Sequence, residues 1–315
     1  MTHETVFGPV VSSRLGRSLG LDLLGSTICS FDCLYCESGR TTNHTLVREP
    51  YVPAGVILDE LKAWLDSSPG DVDHITLGGM GEPCLNADMG SVITGVRELV
   101  PDVPVAVLTN SSLLPDPLIR KELSRCQAVL PSLDTLIQKE FFRLNRPCAA
   151  LSVDDIAQAL LTFRSEYSGA IFLEVLLVKG VNDSQANLSA LKAFCRELLP
   201  DRVDVVTMTR PGAHVRDGAV AEAVAHSWRQ ALGSRAAPGA GSERTGHEFV
   251  KTLADLERSI LNSLKRRPQS GPQLGQALQA DTEQVEIVLS RLVEEGRIAS
   301  SKAYGQLFYS MTPGQ

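Results

Sequence analysis

Between residues 20 and 232, short apolar runs rich in β-branched residues alternate with stretches whose apolar positions recur at helical spacing. That alternation is the pattern of a parallel α/β architecture. Six strands are predicted: Gly20 to Leu24, His74 to Gly78, Val103 to Thr109, Ala128 to Asp134, Ala170 to Val178 and Val203 to Met208. Most are continuous apolar runs, as strands covered on both faces should be. In one intervening helix, Ile57, Leu61, Trp64 and Leu65 fall at i, i+4, i+7 and i+8, a single stripe to bury. Another starts at Ser152 with Asp155 three residues on, a capping-box-like opening, and presents Ile156, Leu160, Phe163 and Tyr167 to the core.

Six strand and helix units fall short of a complete eight-stranded barrel, which typically takes about 250 residues. The expected fold is therefore α/β, a partial (β/α)6 TIM-like barrel over residues 1–232. After Leu232 the chain turns to Gly, Ser, Ala and Pro with nothing to bury, so 233–250 reads as a flexible linker. Residues 251–315 then offer three helices, near Ala254 to Arg267, Gly271 to Gln279 and Thr282 to Glu295. Two short β-like runs around Gly305 follow, and the set suggests a small C-terminal winged-helix domain.

Composition narrows the function. Met1-Thr2-His3-Glu4 opens no signal peptide, and no apolar stretch approaches the roughly 18 residues of a membrane span, so a cytoplasmic protein without a membrane partner is expected. Seven cysteines, an odd number with three tightly clustered, suit reduced thiols serving a metal better than a disulfide framework. A net charge of −7 works against broad attraction to phosphate backbones. The C-terminal segment does not reverse it: Ala254 to Gln315 holds seven basic and seven acidic residues. Its candidate recognition helix presents Asp281, Glu283, Glu286, Glu294 and Glu295 against Arg291 and Arg297. Lys265, Arg266 and Arg267 fall at a helix end, where cations suit the dipole.

The chemistry concentrates in Cys29-Ser-Phe-Asp-Cys33-Leu-Tyr-Cys36, three thiols at CxxxCxxC spacing just after the first strand, at the carboxyl edge where parallel folds place active sites. A four-iron cluster usually takes four thiolates, so three leave one iron open to an outside ligand. A structural zinc completed by a distant ligand, His44 being nearest, and small buried thiols are the alternatives. A glycine-rich turn, Gly78-Gly79-Met80-Gly81-Glu82-Pro83, follows the second strand.

With the aromatic Tyr35 before its third cysteine, the loop resembles the cysteine motif of the radical SAM superfamily, and the Gly79, Gly81, Glu82 turn resembles that family's glycine-glycine-glutamate segment. The resemblance implies a [4Fe-4S] cluster on Cys29, Cys33 and Cys36 and S-adenosylmethionine (SAM) bound through its amino and carboxylate groups at the open iron. It also implies Tyr35 against the adenine, Glu82 accepting from the SAM amino group, and an electron donor such as flavodoxin or ferredoxin.

Shorter matches from Phe7-Gly-Pro9 to Arg210-Pro211 resemble the branch related to tRNA wyosine-base synthases, with departures at Val11-Ser-Ser-Arg14 and at Cys84. They add Asn110 and Asp134, at strand ends, as candidate SAM contacts. Arg14, Arg17, Arg146, Lys179 and Arg210 are candidates to line the barrel mouth for an anionic substrate or the SAM carboxylate. The substrate is open among a tRNA base, a peptide or protein, and a cofactor precursor, and no catalytic side chain is named. The contrasting reading is a redox-sensing iron-sulfur regulator that binds DNA through the C-terminal domain.

Overall fold

The computed structural model describes residues 5–12, 14–67, 72–234 and 252–312. The chain runs β1 (Val6–Ser12), β2 (Gly16–Leu21), β3 (Ile28–Cys29), β4 (Asn43–His44), α1 (Ala54–Ser67) and β5 (His74–Leu77). Next come α2 (Met89–Leu99), β6 (Val105–Thr109), α3 (Pro117–Leu123), β7 (Ala128–Pro131), α4 (Gln138–Leu144) and α5 (Val153–Glu166). β8 (Ala170–Leu177), α6 (Gln185–Leu198), β9 (Arg202–Thr207) and α7 (Glu222–Leu232) complete this part. The main sheet has the order β1-β2-β5-β6-β7-β8-β9. Its last six strands are parallel. They are the six predicted strands, so the α/β fold with a mostly parallel sheet stands.

Strand β1 was not foreseen. It pairs antiparallel with β2 as an edge, with its register broken between Phe7 and Val10. The Gly8-Pro9 pair that hides it from a pattern search is tolerated there because an edge strand can lack a ladder donor. The first predicted strand also begins earlier, at Gly16, because Arg17 and Ser18 interrupt the apolar run; Ser18 Oγ is satisfied by Thr76 Oγ1 on β5.

One face of the sheet, with Ile75, Leu77, Val105, Val107, Val129, Ile171 and Leu173, is covered by the helices and forms the main core. Ile57 and Leu61 are fully buried there, whereas Trp64 and Leu65 only flank it. The α5 stripe of Ile156, Leu160, Phe163 and Tyr167 is buried as expected, although Ser152 makes no side-chain cap. The other face looks into the barrel. It carries a smaller cluster of Ala106, Ala128 and Leu130, joined by Leu15 from the β1–β2 turn and flanked by Phe172. On β8, Phe172, Glu174 and Leu176 alternate with the core residues and so face this interior. Asp204, paired with Glu174 in register, faces it too.

The C-terminal segment contains α8 (Leu253–Arg266), α9 (Gly271–Leu278) and α10 (Thr282–Glu294), then the antiparallel hairpin β10 (Ile298–Ala303) and β11 (Gln306–Met311). Tyr304 and Gly305, both at positive φ, form the two-residue turn. These elements build their own core around Leu256, Ile260, Leu274, Leu289 and Ile298. On α10 and beyond, Arg291 and Arg297 both pair with Glu257 on α8. Of the expected linker, residues 235–250 lie outside the described residues. Among the described residues no helix is long and apolar enough to cross a membrane.

Candidate active site

The cysteine loop leaves the carboxyl side of the sheet and has little regular structure of its own, so its shape comes from its neighbours. Its first contact is the glycine turn after β5. Ile28 N donates to Met80 O at 3.2 Å and Glu82 N to Ile28 O at 3.1 Å. Gly81, at φ +149°, makes this approach possible: a Cβ there would lie 1.9 Å from the Ile28 carbonyl oxygen. Gly81 thus seats the loop rather than meeting a ligand directly, and Gly79 borders the Asp22 carboxyl in the same way.

The second contact is the end of α4. Its terminal carbonyls would lack partners, but Leu144 O accepts from Leu34 N at 2.8 Å and Asn145 O from Asp32 N at 3.1 Å. A third comes from the segment after β9. Ala213 N donates to Cys36 O and His214 N to Leu34 O, each at 3.0 Å, while His214 Nε2 meets Asp32 Oδ2 at 2.8 Å. Against partial burial, which raises it, the bond from His214, then the Thr41 N–H, and last Arg146 Nε at 3.2 Å hold the Asp32 carboxyl below its usual value. Asp32 and His214 escaped the sequence reading because their partnership spans the whole barrel.

Cys29, Cys33 and Cys36 are all free thiols. Burial pushes each of them up, Cys29 to about 12, and each also feels a charged neighbour in the loop. Donors already point at two sulfurs: Phe31 N and Asn110 Nδ2 each reach Cys29 Sγ at 3.4 Å, and Asn145 Nδ2 reaches Cys33 Sγ at 3.6 Å. Such N–H donors stabilise a thiolate, and ligation deprotonates a thiol outright. Among the described residues no three His, Cys, Asp or Glu side chains converge on a single ion, as a structural zinc would need. His44 Nε2 lies 3.0 Å from Ser30 O instead. Three thiols around one loop fit a cluster, in which each binds a different iron.

The other expected ligand contacts are more occupied than the sequence suggested. Glu82 is fully buried, with Oε1 accepting from Cys84 N at 3.0 Å and Thr109 Oγ1 at 2.8 Å, and Oε2 from Asn110 N at 2.6 Å. Burial still holds its carboxyl above the usual range. Asn110, besides Cys29, donates to Ser30 Oγ at 2.9 Å and so braces the loop. Asp134, expected as a SAM contact, is also tied into the scaffold. Its Oδ1 accepts from Leu176 N on β8 at 2.9 Å, and its Oδ2 from Tyr35 OH at 2.5 Å and Asn145 Nδ2 at 2.9 Å. Tyr35, Asn110, Asp134 and Asn145 border a small cavity of about 40 Å³. Asn145 had no sequence signal beyond its place in Leu144-Asn-Arg-Pro147.

The five basic candidates separate. Arg17 opens β2 beside Asp73, at the amino-terminal edge of the sheet and away from the mouth. Lys179, just after β8, is exposed, and Arg146 lies half-exposed over the cysteine loop. Arg14 rises from the β1–β2 turn to pair with Glu174 inside the barrel. Arg210, after β9, pairs with Glu37 at 3.0 Å, next to Cys36.

The family described as Radical SAM superfamily matches residues 23–190. A UPF0026 protein of Synechocystis sp. is 34% identical over 216 residues, 67% of this chain and 77% of that protein. A protein of Brachyspira hyodysenteriae named GTPase Obg is 31% identical over 313 residues, 98% of this chain, yet the chain spans only 45% of that relative's length. This chain contains no GxxxxGK[ST] phosphate loop. A radical SAM methyltransferase from Sphaerobacter thermophilus shares the fold, with a TM-score of 0.54 at 21% identity over 68% of this chain and 62% of that one. With more than half of its length matched and its cysteine loop built as described, the chain belongs to the radical SAM superfamily, a family of enzymes that use a [4Fe-4S] cluster and S-adenosylmethionine.

Proposed function

We propose that Cys29, Cys33 and Cys36 hold a [4Fe-4S] cluster whose fourth iron takes SAM, and that the protein uses the pair to modify a substrate admitted at the barrel mouth. The observation that carries this reading is the loop itself: three unpaired thiols at the carboxyl edge, two of them already met by N–H donors. Bound there, cluster and SAM supply a one-electron reductive cleavage that gives methionine and a 5′-deoxyadenosyl radical able to abstract hydrogen. The chain's own part is to fix the thiolates through Phe31, Asn110 and Asn145 and to keep the loop in place through Gly81 and the α4 end. Tyr35, Gly79, Gly81, Glu82, Asn110 and Asp134 are the candidates to position SAM, directly or by shaping the loop. Glu82 Oε2, with one donor, retains the capacity to accept a second from the SAM amino group.

The electron comes from a partner such as flavodoxin or ferredoxin in the cytoplasm. Residues 1–232 form the catalytic barrel, 233–250 a linker, and 251–315 a winged-helix domain that serves substrate recognition. The substrate is a tRNA base, a peptide or protein, or a cofactor precursor. Reading the domain as a promoter-binding switch gains no support, because Arg291 and Arg297 are engaged by carboxylates rather than presented to phosphates.

The test is anaerobic reconstitution with iron and sulfide, then dithionite and SAM, with 5′-deoxyadenosine quantified. Wild type and Cys126→Ala should form it, and the Cys29, Cys33, Cys36 triple alanine variant should not. A cluster that forms on wild type without any cleavage would refute the proposal.

A further inference from the structure

The basic run Lys265-Arg266-Arg267 falls at the end of α8, as expected, and its last two residues reach the barrel. Arg267 precedes Pro268, which forces an extended backbone (φ −166°, ψ 152°), ends α8 and turns the side chain away from the helix axis. Arg266 lies over the Phe7 ring of β1, 4.2 Å from its centroid, so the segment is docked on the barrel. Arg267 then points to Glu37, beside Cys36, with Nη1 3.8 Å from Oε2. Glu37 already takes both its oxygens to Arg210 Nη1, at 3.0 and 3.2 Å. Arg210 in turn donates its Nε to Gln273 Oε1 on α9 at 3.1 Å, a second link between the C-terminal segment and the mouth.

The charges do not balance locally. Arg14, Arg202, Arg210 and Arg267 face Glu37, Glu174 and Asp204, four guanidinia against three carboxylates. Arg14 and Arg267 lie within electrostatic reach of each other and of Glu37. Burial lowers both guanidinia from their usual value, the neighbouring cations adding to it. Among the described residues the side chain of Arg267 makes no hydrogen bond at all, although a guanidinium carries five donors and this one is only 36% exposed. A half-buried, doubly crowded guanidinium with unused donors, opening on an interior that also holds Arg14, is built to receive an oxyanion.

We infer that Arg14, Arg210 and Arg267 together bind an oxyanionic group of the substrate, a phosphate or a carboxylate, so that the C-terminal segment supplies one wall of the substrate site. This rests on the radical SAM reading for the word substrate, but not for the anion site itself. Glu37 holds the arginines together until the oxyanion displaces it.

The experiment is calorimetric titration of the cluster-loaded protein, with SAM present to fill its own site, using inorganic phosphate and malonate as separate probes. Binding of the first marks a phosphate group and of the second a carboxylate. Arg210→Gln and Arg267→Gln should weaken the bound anion by about tenfold or more, and Arg267→Lys should weaken it less. Glu37→Gln should tighten it by removing the competing carboxylate. Arg258→Gln, on the exposed side of α8, should change nothing. Failure of both probes on wild type, or binding to Arg267→Gln within twofold of wild type, would overturn the inference. Deoxyadenosine formation by the same wild-type sample separates the two ideas. If it forms while neither anion binds, only this inference falls; if anions bind while none forms, the catalytic reading falls and the site stands.

Discussion

Replacing Gly81 by alanine tests whether the glycine turn exists to seat the cysteine loop. The added Cβ would stand 1.9 Å from Ile28 O and 2.7 Å from Leu24 Cδ1, at a φ of +149° that side chains rarely adopt. Backbone strain of this kind costs about 1–3 kcal/mol. Pushing Ile28 away also breaks its bonds to Met80 O and Glu82 N, each contributing about 0.5–1.5 kcal/mol. The expected loss is therefore about 2–6 kcal/mol, a large part of the roughly 5–15 kcal/mol that holds a domain together. Gly180→Ala is the matched control: φ is +68° and nothing lies within 4 Å of its Cβ, so only the conformational part remains. Urea unfolding of the cluster-free proteins, followed by circular dichroism, gives the two losses, and iron content after reconstitution gives the consequence for the loop. If Gly81→Ala loses no more stability than Gly180→Ala, or takes up iron as wild type does, the steric argument is wrong.

Two further outcomes follow from the buried polar groups. Burial raises the Glu82 carboxyl, so the folded state favours its protonated form. Its stabilising contribution is complete below the unfolded value of about 4.3 and is lost as pH rises through the folded value. Wild type should therefore be more stable relative to Glu82→Gln at about pH 4 than at about pH 7.5, and an equal difference at the two pH values in urea titrations would contradict this. Asn145→Ala removes donors from Asp134 Oδ2 and Cys33 Sγ, leaving a buried carboxylate short of a partner at about 1–3 kcal/mol. Its unfolding midpoint and its retention of iron should both drop, and no change in either would deny Asn145 a bracing role.

The six parallel strands were legible because each is a continuous run that must be covered on both faces, and the cysteine loop because its spacing is local. The edge strand β1 was not, since Gly8-Pro9 breaks the pattern that an edge can tolerate. Long-range partners were equally hidden. Nothing near Asp32 in sequence announces His214, and nothing near Tyr35 announces Asn145, because both pairs are made by closing the barrel. The same closure gives Asp134 and Asn110 structural partners that the sequence does not announce. A polar residue at a strand end reads as a ligand contact in sequence, and here Asp134 also joins β7 to β8 through Leu176 N while Asn110 also steadies Cys29. Arg17 opens β2 and so lies at the amino-terminal edge of the sheet, which was hidden because a short family-like segment names a residue without saying which end of its strand it occupies.

The charge of the whole chain is a poor guide to what its interior binds. A net −7 is spread over a surface whose charges are screened within about 8 Å at physiological ionic strength. Inside the barrel the distances are shorter and water is scarcer, so a single unmatched guanidinium outweighs many solvated carboxylates. That is the situation around Glu37, where Arg210 and Arg267 meet one acid and Arg14 stands within reach. The acidic balance argues against wrapping a long phosphate backbone, which needs many contacts at once. It does not argue against one phosphate or carboxylate held in the mouth, where affinity depends on the few donors that surround it.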